Sequence, residues 1–168
     1  SITDIPDGAG ADVKSIKSKD GTFIKEVVKV DTSKMTKLSY VAEDAIISSG
    51  EYSISTAEEL VKLSKMSNNS QIKGGRFVLA NDIDMSAYST GEGFEPIAKY
   101  GGFKGMVNGN GYVIRNLYIN RPNEANVALI GGAHVEVRNL GLENVDITGK
   151  NDTGGIVGQG QMNGLINC

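Results

Sequence analysis

A short phrase recurs near the end of this chain and constrains its architecture more than any other feature. Residues 113–118 read Val-Ile-Arg-Asn-Leu-Tyr, residues 136–141 read Glu-Val-Arg-Asn-Leu-Gly, and residues 164–168 begin the phrase a third time. A second phrase, Ala-Leu-Ile-Gly at 128–131, recurs as Gly-Ile-Val-Gly at 155–158. Periods of about 20–30 residues are typical of repeat proteins, in which each repeat buries its apolar residues against the next.

The repeats consist of short β-rich stretches separated by Gly and Asn corners. Leucine-rich repeats have a similar period, but they need helical or compact segments between strands, and residues 148–155 contain three glycines. Each glycine costs about 1 kcal/mol relative to alanine inside a helix. The pattern therefore favours strands joined by corners. We predict an all-β fold, a parallel β-helix (solenoid), with an N-terminal capping helix and a preceding β-hairpin region.

The composition divides the chain near residue 50. Residues 1–50 are expected to form a β-rich N-terminal segment, because residues 13–18 and 22–30 are strand-like and flank an Asp-Gly turn signal. Residues 38–47 are a candidate third strand. Residues 51–168 are expected to hold the capping helix and the start of the repeats. Because the phrase breaks off at Cys168, we expect further C-terminal repeats or a neighbouring copy of the chain.

The clearest helical pattern covers residues 55–67. Ser55 and Glu58 have the spacing of a capping box, and Leu60 and Leu63 form one apolar face. The exposed end of a repeat array needs a cover, and this helix immediately precedes the first repeat. We therefore predict that it caps the array.

The recurring asparagines have a predicted structural role. Asn116, Asn139 and Asn167 stand at equivalent places in the phrase, and each is followed by an apolar residue or Cys168. Neighbouring parallel strands lie about 4.8 Å apart, so amides at one corner can hydrogen-bond in a ladder. We predict that these three asparagines form such a ladder and that the residues after them pack in the core.

Five segments resemble a known bacterial family in their order and spacing: residues 56–60, 77–85, 94–97, 103–117 and 153–158, the last reading Thr-Gly-Gly-Ile-Val-Gly. Together they resemble the GLUG-repeat family of bacterial surface proteins and adhesins over about residues 52–168. The resemblance implies a right-handed parallel β-helix displayed outside the cell. It brings no catalytic residues to this chain, and the zinc-protease motif His-Glu-x-x-His of some members is absent.

Composition excludes several partners. The net charge of −3 gives no reason to expect nucleic-acid binding, and no apolar run is long enough for membrane insertion. The single histidine, His134, has no second metal-type ligand nearby, and the single cysteine, Cys168, is interpreted as a small core residue. We expect no enzymatic activity and no cofactor.

Two residue pairs are candidates for chemistry or binding. Asp82 and Asp84 alternate along one predicted strand and so share one of its faces. The first interpretation of this pair is a solvated strand face, the second is a calcium site, and the third is a pair of carboxylates that catalyse hydrolysis. Tyr88 and Tyr100 lie among Ser, Gly and Lys and are the better surface candidates for carbohydrate binding. Polysaccharide hydrolase or lyase activity stays open on the sequence alone.

The predicted function is an extracellular structural or adhesion module of a bacterial surface or secreted protein, which binds a host-surface glycan or a protein receptor. One alternative is a phage tail fibre, tailspike or other virion component, because residues 1–50 could pack against identical chains. Another is the non-catalytic N-terminal region of a secreted protease.

Overall fold

The structure is a computed structural model, and it describes residues 11–17, 23–101, 103–132, 134–151, 153–156 and 164–166. Thirteen strands are present in this part of the chain, together with one α-helix and two short 3₁₀ helices. The strands are β1 (Ala11–Lys17), β2 (Phe23–Val30), β3 (Thr36–Lys37), β4 (Glu51–Ile54), β5 (Arg76–Leu79), β6 (Ile83–Asp84), β7 (Met106–Asn108), β8 (Val113–Arg115), β9 (Tyr118–Ala125), β10 (Glu136–Arg138), β11 (Gly141–Glu143), β12 (Asp146–Asn151) and β13 (Gly164–Ile166). The α-helix α1 is Ala57–Asn68, and the 3₁₀ helices are Leu38–Tyr40 and Ser86–Tyr88.

The N-terminal strands form the expected antiparallel pair. β1 pairs with β2 so that Ala11 faces Val30 and Lys17 faces Phe23, with a shift in register beside Lys17. The Asp-Gly turn predicted between them lies outside the described residues. The predicted third strand at 38–47 is wrong: the segment holds a 3₁₀ helix and an isolated bridge from Ile47 to Ile72.

The remaining described strands pair only in parallel. They form a six-stranded sheet in the order β13-β10-β7-β5-β4-β3, a three-stranded sheet β11-β8-β6 and the pair β12-β9. Strands that are distant in the chain are therefore neighbours in space, as in the pairing of Val113 with Gly141 and of Tyr118 with Asp146. β3, which precedes residue 50, belongs to the six-stranded sheet. The predicted division of the chain into two segments near residue 50 stays a prediction.

The helix and the strands share one apolar core. Leu60, Leu63 and Met66 of α1 belong to the same buried cluster as Phe77, Phe103 and the strand residues. Leu117 and Leu140, expected in the core, are 0% and 1% exposed. A contiguous core of this kind is the main source of stability in a single fold.

The predicted fold class is wrong. We expected an all-β, right-handed parallel β-helix with the helix as an accessory cap. The described residues instead form mixed α and β structure in four separate sheets, one of them antiparallel, and α1 contributes directly to the core. The helix itself was predicted, but as a cover for the first repeat, whereas its apolar face lies inside the same core as the strands.

α1 begins one residue later than its capping pattern predicted. Thr56, not Ser55, is the N-cap, and its hydroxyl accepts a hydrogen bond from the N–H of Glu59 at 3.1 Å. Glu59, not Glu58, returns its carboxylate to the N–H of Ser55 at 3.0 Å, and it also accepts from the N–H of Ser39 at 2.9 Å. The Ser55–Glu58 capping box is therefore wrong by one position, and the Thr56–Glu59 pair fulfils the same role.

Glu59 is 3% exposed, so its charge needs compensation. Burial favours the neutral carboxyl, but hydrogen bonds from Ser55 and Ser39 outweigh that effect and hold the pKa of Glu59 below its ordinary value. A buried acceptor at the start of α1 thus ties the helix to the 3₁₀ helix at Leu38–Tyr40.

Candidate functional site

An exposed row of charges crosses the three-stranded sheet. Arg115 on β8 donates from Nη1 to Oδ2 of Asp82 at 3.2 Å and from Nε to Oε2 of Glu143 on β11 at 2.7 Å. Asp82 also accepts at Oδ1 from the N–H of Val113 at 3.0 Å. The hydrogen bond and charge of Glu143 raise the pKa of Arg115 above its ordinary value. We call Asp82, Arg115 and Glu143 the charge ladder.

A second row of polar side chains runs beside the first. Asn116 donates from Nδ2 to Oδ1 of Asp84 at 2.9 Å, and Asn144 donates from Nδ2 to Oδ1 of Asn116 at 2.6 Å. Asp84 also accepts from the N–H of Ser86. The Asn116 amide, followed by the Ser86 hydrogen bonds, lowers the pKa of Asp84. We call Asp84, Asn116 and Asn144 the amide ladder.

The asparagine prediction needs correction, because Asn116 and Asn139 do not share a ladder. Asn139 instead donates from Nδ2 to Oδ1 of Asn108 at 3.4 Å in the buried interior, whereas Asn116 pairs with exposed Asn144. The reason is register. Strand pairing places residue 116 beside residue 144, which is one corner later than the matching phrase suggested. Asn167 lies outside the described residues.

The corner asparagines share a backbone conformation that the sequence did not reveal directly. Asn110, Asn116, Asn126, Asn139 and Asn144 have positive φ angles between 52° and 60°. Asparagine tolerates this left-handed region better than most residues because its short amide can bond locally. At Asn116, Asn139 and Asn144 the same residue therefore turns the chain and supplies a side chain for bonding to another corner.

The carboxylates predicted for calcium or hydrolysis are both part of the ladders. Asp82 and Asp84 are exposed, and their oxygens accept from Arg115, Asn116 and backbone N–H groups. Across the described residues, no group of three or more His, Cys, Asp or Glu side chains could hold a metal ion. Calcium binding by Asp82 and Asp84 stays a prediction.

The two tyrosines predicted to bind ligand lie in different settings. Tyr100 is 76% exposed, and the Nζ of Lys99 is 5.2 Å from its ring centroid. Tyr88 is half-buried at the end of the second 3₁₀ helix, packs against the core, and lines two adjoining cavities beside α1. Tyr100 is not among the residues that line them.

The cavities beside α1 form the concave site of greatest chemical interest. One has a volume of about 390 Å³ and the other about 180 Å³, and both are lined by Val61, Lys65 and Tyr88. We call their union the helix-side groove. Its other lining residues are Glu43, Glu58, Lys62, Ser64, Met66, Asn69, Gln71, Gly93, Phe94 and Glu95.

One wall of the helix-side groove is tied by side-chain hydrogen bonds to α1 and to the residues that follow it. Lys62 donates from Nζ to the carbonyl oxygen of Val41. Gln71 donates from Nε2 to the carbonyl oxygens of Glu43 and Ala45 at 2.7 and 2.8 Å. These contacts hold the irregular segment before β4 against the helix.

The opposite wall is held by a polar stripe of the same helix. Ser64 donates to the carbonyl oxygen of Glu95 at 2.5 Å, and Asn68 donates to Oε1 of Glu95 at 2.8 Å. The Oδ1 of Asn68 and the hydroxyl of Ser67 accept from the N–H groups of Lys99 and Ala98, each at 2.9 Å. Sequence reasoning assigned α1 one apolar face and missed this second, polar anchoring face. The sequence did contain a signal for this face, since Ser64, Ser67 and Asn68 place three hydroxyl or amide side chains within five positions.

His134 is not among the residues that line the groove. His134 is exposed at a positive φ of 73°, and Cys168 lies outside the described residues. Within the described part of the chain, no helix combines the length and apolar character needed to cross a membrane.

The chain is similar in sequence to short segments of two much longer proteins. It is 36% identical over 110 residues to Halomucin of Haloquadratum walsbyi, an alignment that covers 60% of this chain and 1% of that protein. It is 36% identical over 118 residues to a putative Gly-rich membrane protein of Evansella cellulosilytica, covering 64% of this chain and 13% of that protein. No protein-family model matches the chain. No solved structure matches it either. The chain therefore spans only a small part of either relative.

Proposed function

We propose that this chain is a non-catalytic display module of an extracellular bacterial surface or secreted protein, which binds a glycan or a protein on another surface. A location outside the cell agrees with the similarity to Halomucin and to a protein named a membrane protein. The resemblance of residues 52–168 to GLUG-repeat surface proteins leads to the same proposal.

One observation carries the proposal: the exposed carboxylates of Asp82, Asp84 and Glu143 bond to side chains of the neighbouring strand β8 or the corner after it, and they do not line the helix-side groove. Asp82 and Glu143 both hold Arg115, and Asp84 holds Asn116. Retaining and inverting glycosidases need two carboxyl groups on opposite sides of one bond, about 5–10 Å apart. The ladders instead use their carboxylates to join successive strands, which suits a scaffold that presents a surface.

A paired activity and retention assay tests the proposal. The purified chain is incubated with starch, xylan and pectin, and new reducing ends and unsaturated uronates are measured. We expect no product above the level of the Asp82→Asn and Asp84→Asn variants. Asp146→Asn is the matched control, because Asp146 is exposed and lies outside both ladders.

Release of product by the native chain, abolished by Asp82→Asn or Asp84→Asn and kept by Asp146→Asn, would contradict the proposal. Retention is measured on beads coated with the same polysaccharides or with extracellular-matrix proteins. The proposal would also be contradicted if the chain were retained on none of these coatings.

A further inference from the structure

We propose that the helix-side groove is the glycan-binding site of this module and that it takes a neutral saccharide of one or two rings, with Tyr88 as the stacking platform. This inference rests on the proposed function, because it names the ligand class and the site for the binding proposed above.

The groove has the dimensions of a small-ligand site. Its larger cavity, of about 390 Å³, falls in the lower part of the range of about 300–1,000 Å³ found for small-molecule sites. The smaller cavity of about 180 Å³ continues it past Tyr88. The volume suits a short saccharide and is too small for a folded partner.

The chemistry of the lining suits a ligand that is apolar on its ring face and polar at its edges. Tyr88 and Val61 supply an aromatic and an aliphatic surface, which pack against the C–H faces of a sugar ring. Glu58, Lys65 and Asn69 supply an acceptor, a donor and an amide that is both. No hydrogen bond joins these three side chains to another described residue. All three side chains are exposed to water, and sugar hydroxyls, which both donate and accept, can replace that water.

The charge of the groove favours a neutral ligand. Lys65 and Lys62 are balanced by Glu58 and Glu43 in the larger cavity, so neither sign dominates it. An anionic sugar or a phosphate would meet these carboxylates, and a strongly basic peptide would meet the lysines. A neutral polyhydroxylated ligand avoids both repulsions.

The groove is formed before a ligand arrives. Lys62 and Gln71 hold one wall through backbone carbonyls, and Ser64 holds the other through Glu95. Tyr88 stands at the end of a 3₁₀ helix and donates its N–H to the carbonyl oxygen of Met85 at 3.0 Å. Pre-organisation of this kind lowers the entropy lost on binding.

An extended peptide is the competing occupant, and the walls of the groove disfavour it. Peptides that bind in extended form add a strand to a sheet edge, where free backbone groups give the affinity. The groove is lined by the side chains of α1, by Tyr88 and by the segments tied to them, and none of its lining residues belongs to a strand of the described chain.

Saturation-transfer NMR and titration with maltose, cellobiose, lactose and N-acetylglucosamine test the inference on the full chain. We expect at least one of these sugars to bind, and Tyr88→Ala to weaken it by about tenfold or more. Tyr88→Phe keeps the ring and should retain binding within about threefold. Tyr100→Ala is the matched control, because Tyr100 is exposed and outside the groove, and it should bind as the native chain does.

Three results would overturn the inference: none of the four sugars binds, Tyr88→Ala binds as well as the native chain, or Tyr100→Ala weakens binding equally. If Tyr88→Ala does not fold, as judged by circular dichroism, Glu58→Ala provides the second variant, because it removes the acceptor, and unchanged affinity in it would count against the groove. If Tyr88→Ala still binds sugar, this site is wrong but the proposed display function is not contradicted. If the native chain turns over a polysaccharide, the proposed display function is contradicted whatever Tyr88 does.

Discussion

Asn110 joins three parts of the fold through one buried side chain. Its Oδ1 accepts from the N–H of Val30 at 2.7 Å, and its Nδ2 donates to the carbonyl oxygens of Val30 and Leu79 at 3.0 and 3.2 Å. It therefore ties the end of β2 and the end of β5 to the corner after β7. It is 2% exposed and has a φ of 56°. Asn110→Gly removes all three hydrogen bonds while keeping that backbone conformation accessible.

The expected loss of stability follows from these contacts. Each buried hydrogen bond contributes about 1 kcal/mol net, so the three contribute about 3 kcal/mol. The greater freedom of glycine in the unfolded chain adds about 0.5–1 kcal/mol. Asn144→Gly is the matched control: Asn144 has a φ of 52° but is exposed, and its side chain makes one hydrogen bond, to Asn116. The control should lose about 1–2 kcal/mol.

Urea unfolding of both variants, analysed by linear extrapolation, measures the difference. We expect the free energy of unfolding to be about 2–3 kcal/mol lower for Asn110→Gly than for Asn144→Gly. Hydrogen exchange should show the extra loss of protection at the N–H of Val30. Equal stability of the two variants, or a loss of protection confined to other strands, would refute the assignment of Asn110 as the connection between the hairpin and the repeats.

Two further substitutions test other contacts. Glu59→Gln should lower the free energy of unfolding by about 1–3 kcal/mol at pH 7, because it weakens the acceptor for Ser39 and Ser55. The folded pKa of Glu59 lies below its ordinary value of 4.5, so the stabilisation by its charged form is complete above about pH 4.5 and is lost as pH falls through the folded pKa. In that acid window the free energy of unfolding, measured with urea, should depend less on pH in Glu59→Gln than in the native chain. An unchanged dependence on pH would contradict this account. Gly109→Ala should cost about 1–3 kcal/mol, because a Cβ there would lie 2.5 Å from Cα of Leu140 and 2.6 Å from the carbonyl oxygen of Asn139. Gly155→Ala is the control for thermal unfolding, because a Cβ there would lie 3.5 Å from Cδ1 of Leu142, an ordinary van der Waals distance. A larger loss in Gly155→Ala than in Gly109→Ala would contradict the close approach.

Local patterns in the sequence predicted local structure well. The hairpin strands, the buried face of Leu60 and Leu63, and the core positions of Leu117 and Leu140 all follow from apolar spacing and turn residues. These features depend on neighbours in the chain, which is the information that periodicity contains.

Pairing between repeats could not be predicted in the same way. The phrases at 113–118 and 136–141 look equivalent, yet β8 pairs with β11 and β10 pairs with β7. The two copies thus occupy different sheets. Similar short strands occur in both sheets, so similarity of sequence cannot decide which of them are neighbours. The core and the corners together decide which strands pair and in which register. Here the pairing of β8 with β11 places Asn116 beside Asn144 and not beside Asn139.

The candidate site was only partly visible in the sequence. Tyr88 was singled out for its polar neighbours, but its partners in the groove are Glu58 and Lys65 of α1 and Asn69, the residue that caps α1. They lie together because Ser64 and Asn68 anchor the loop at Glu95, a contact between segments about thirty residues apart. A groove formed by tertiary contacts has no linear signature.

The hydrogen-bonded corner after β7 also bears on how the protein ages. It contains two Asn-Gly pairs, 108–109 and 110–111, the dipeptide most prone to spontaneous deamidation. The reaction requires the glycine nitrogen to attack the asparagine amide. In the fold, the Gly109 nitrogen donates to the carbonyl oxygen of Arg138 at 2.7 Å, and the Gly111 nitrogen donates to that of Asn139 at 3.0 Å. Each nitrogen must leave its hydrogen bond before it can react, so deamidation at this corner should await local opening. Peptide mapping by mass spectrometry should find it slower in the folded chain than in urea, and equal rates would mean that the corner gives no protection. For the display module proposed above, which would lie outside the cell, the contacts that close this corner would add chemical durability.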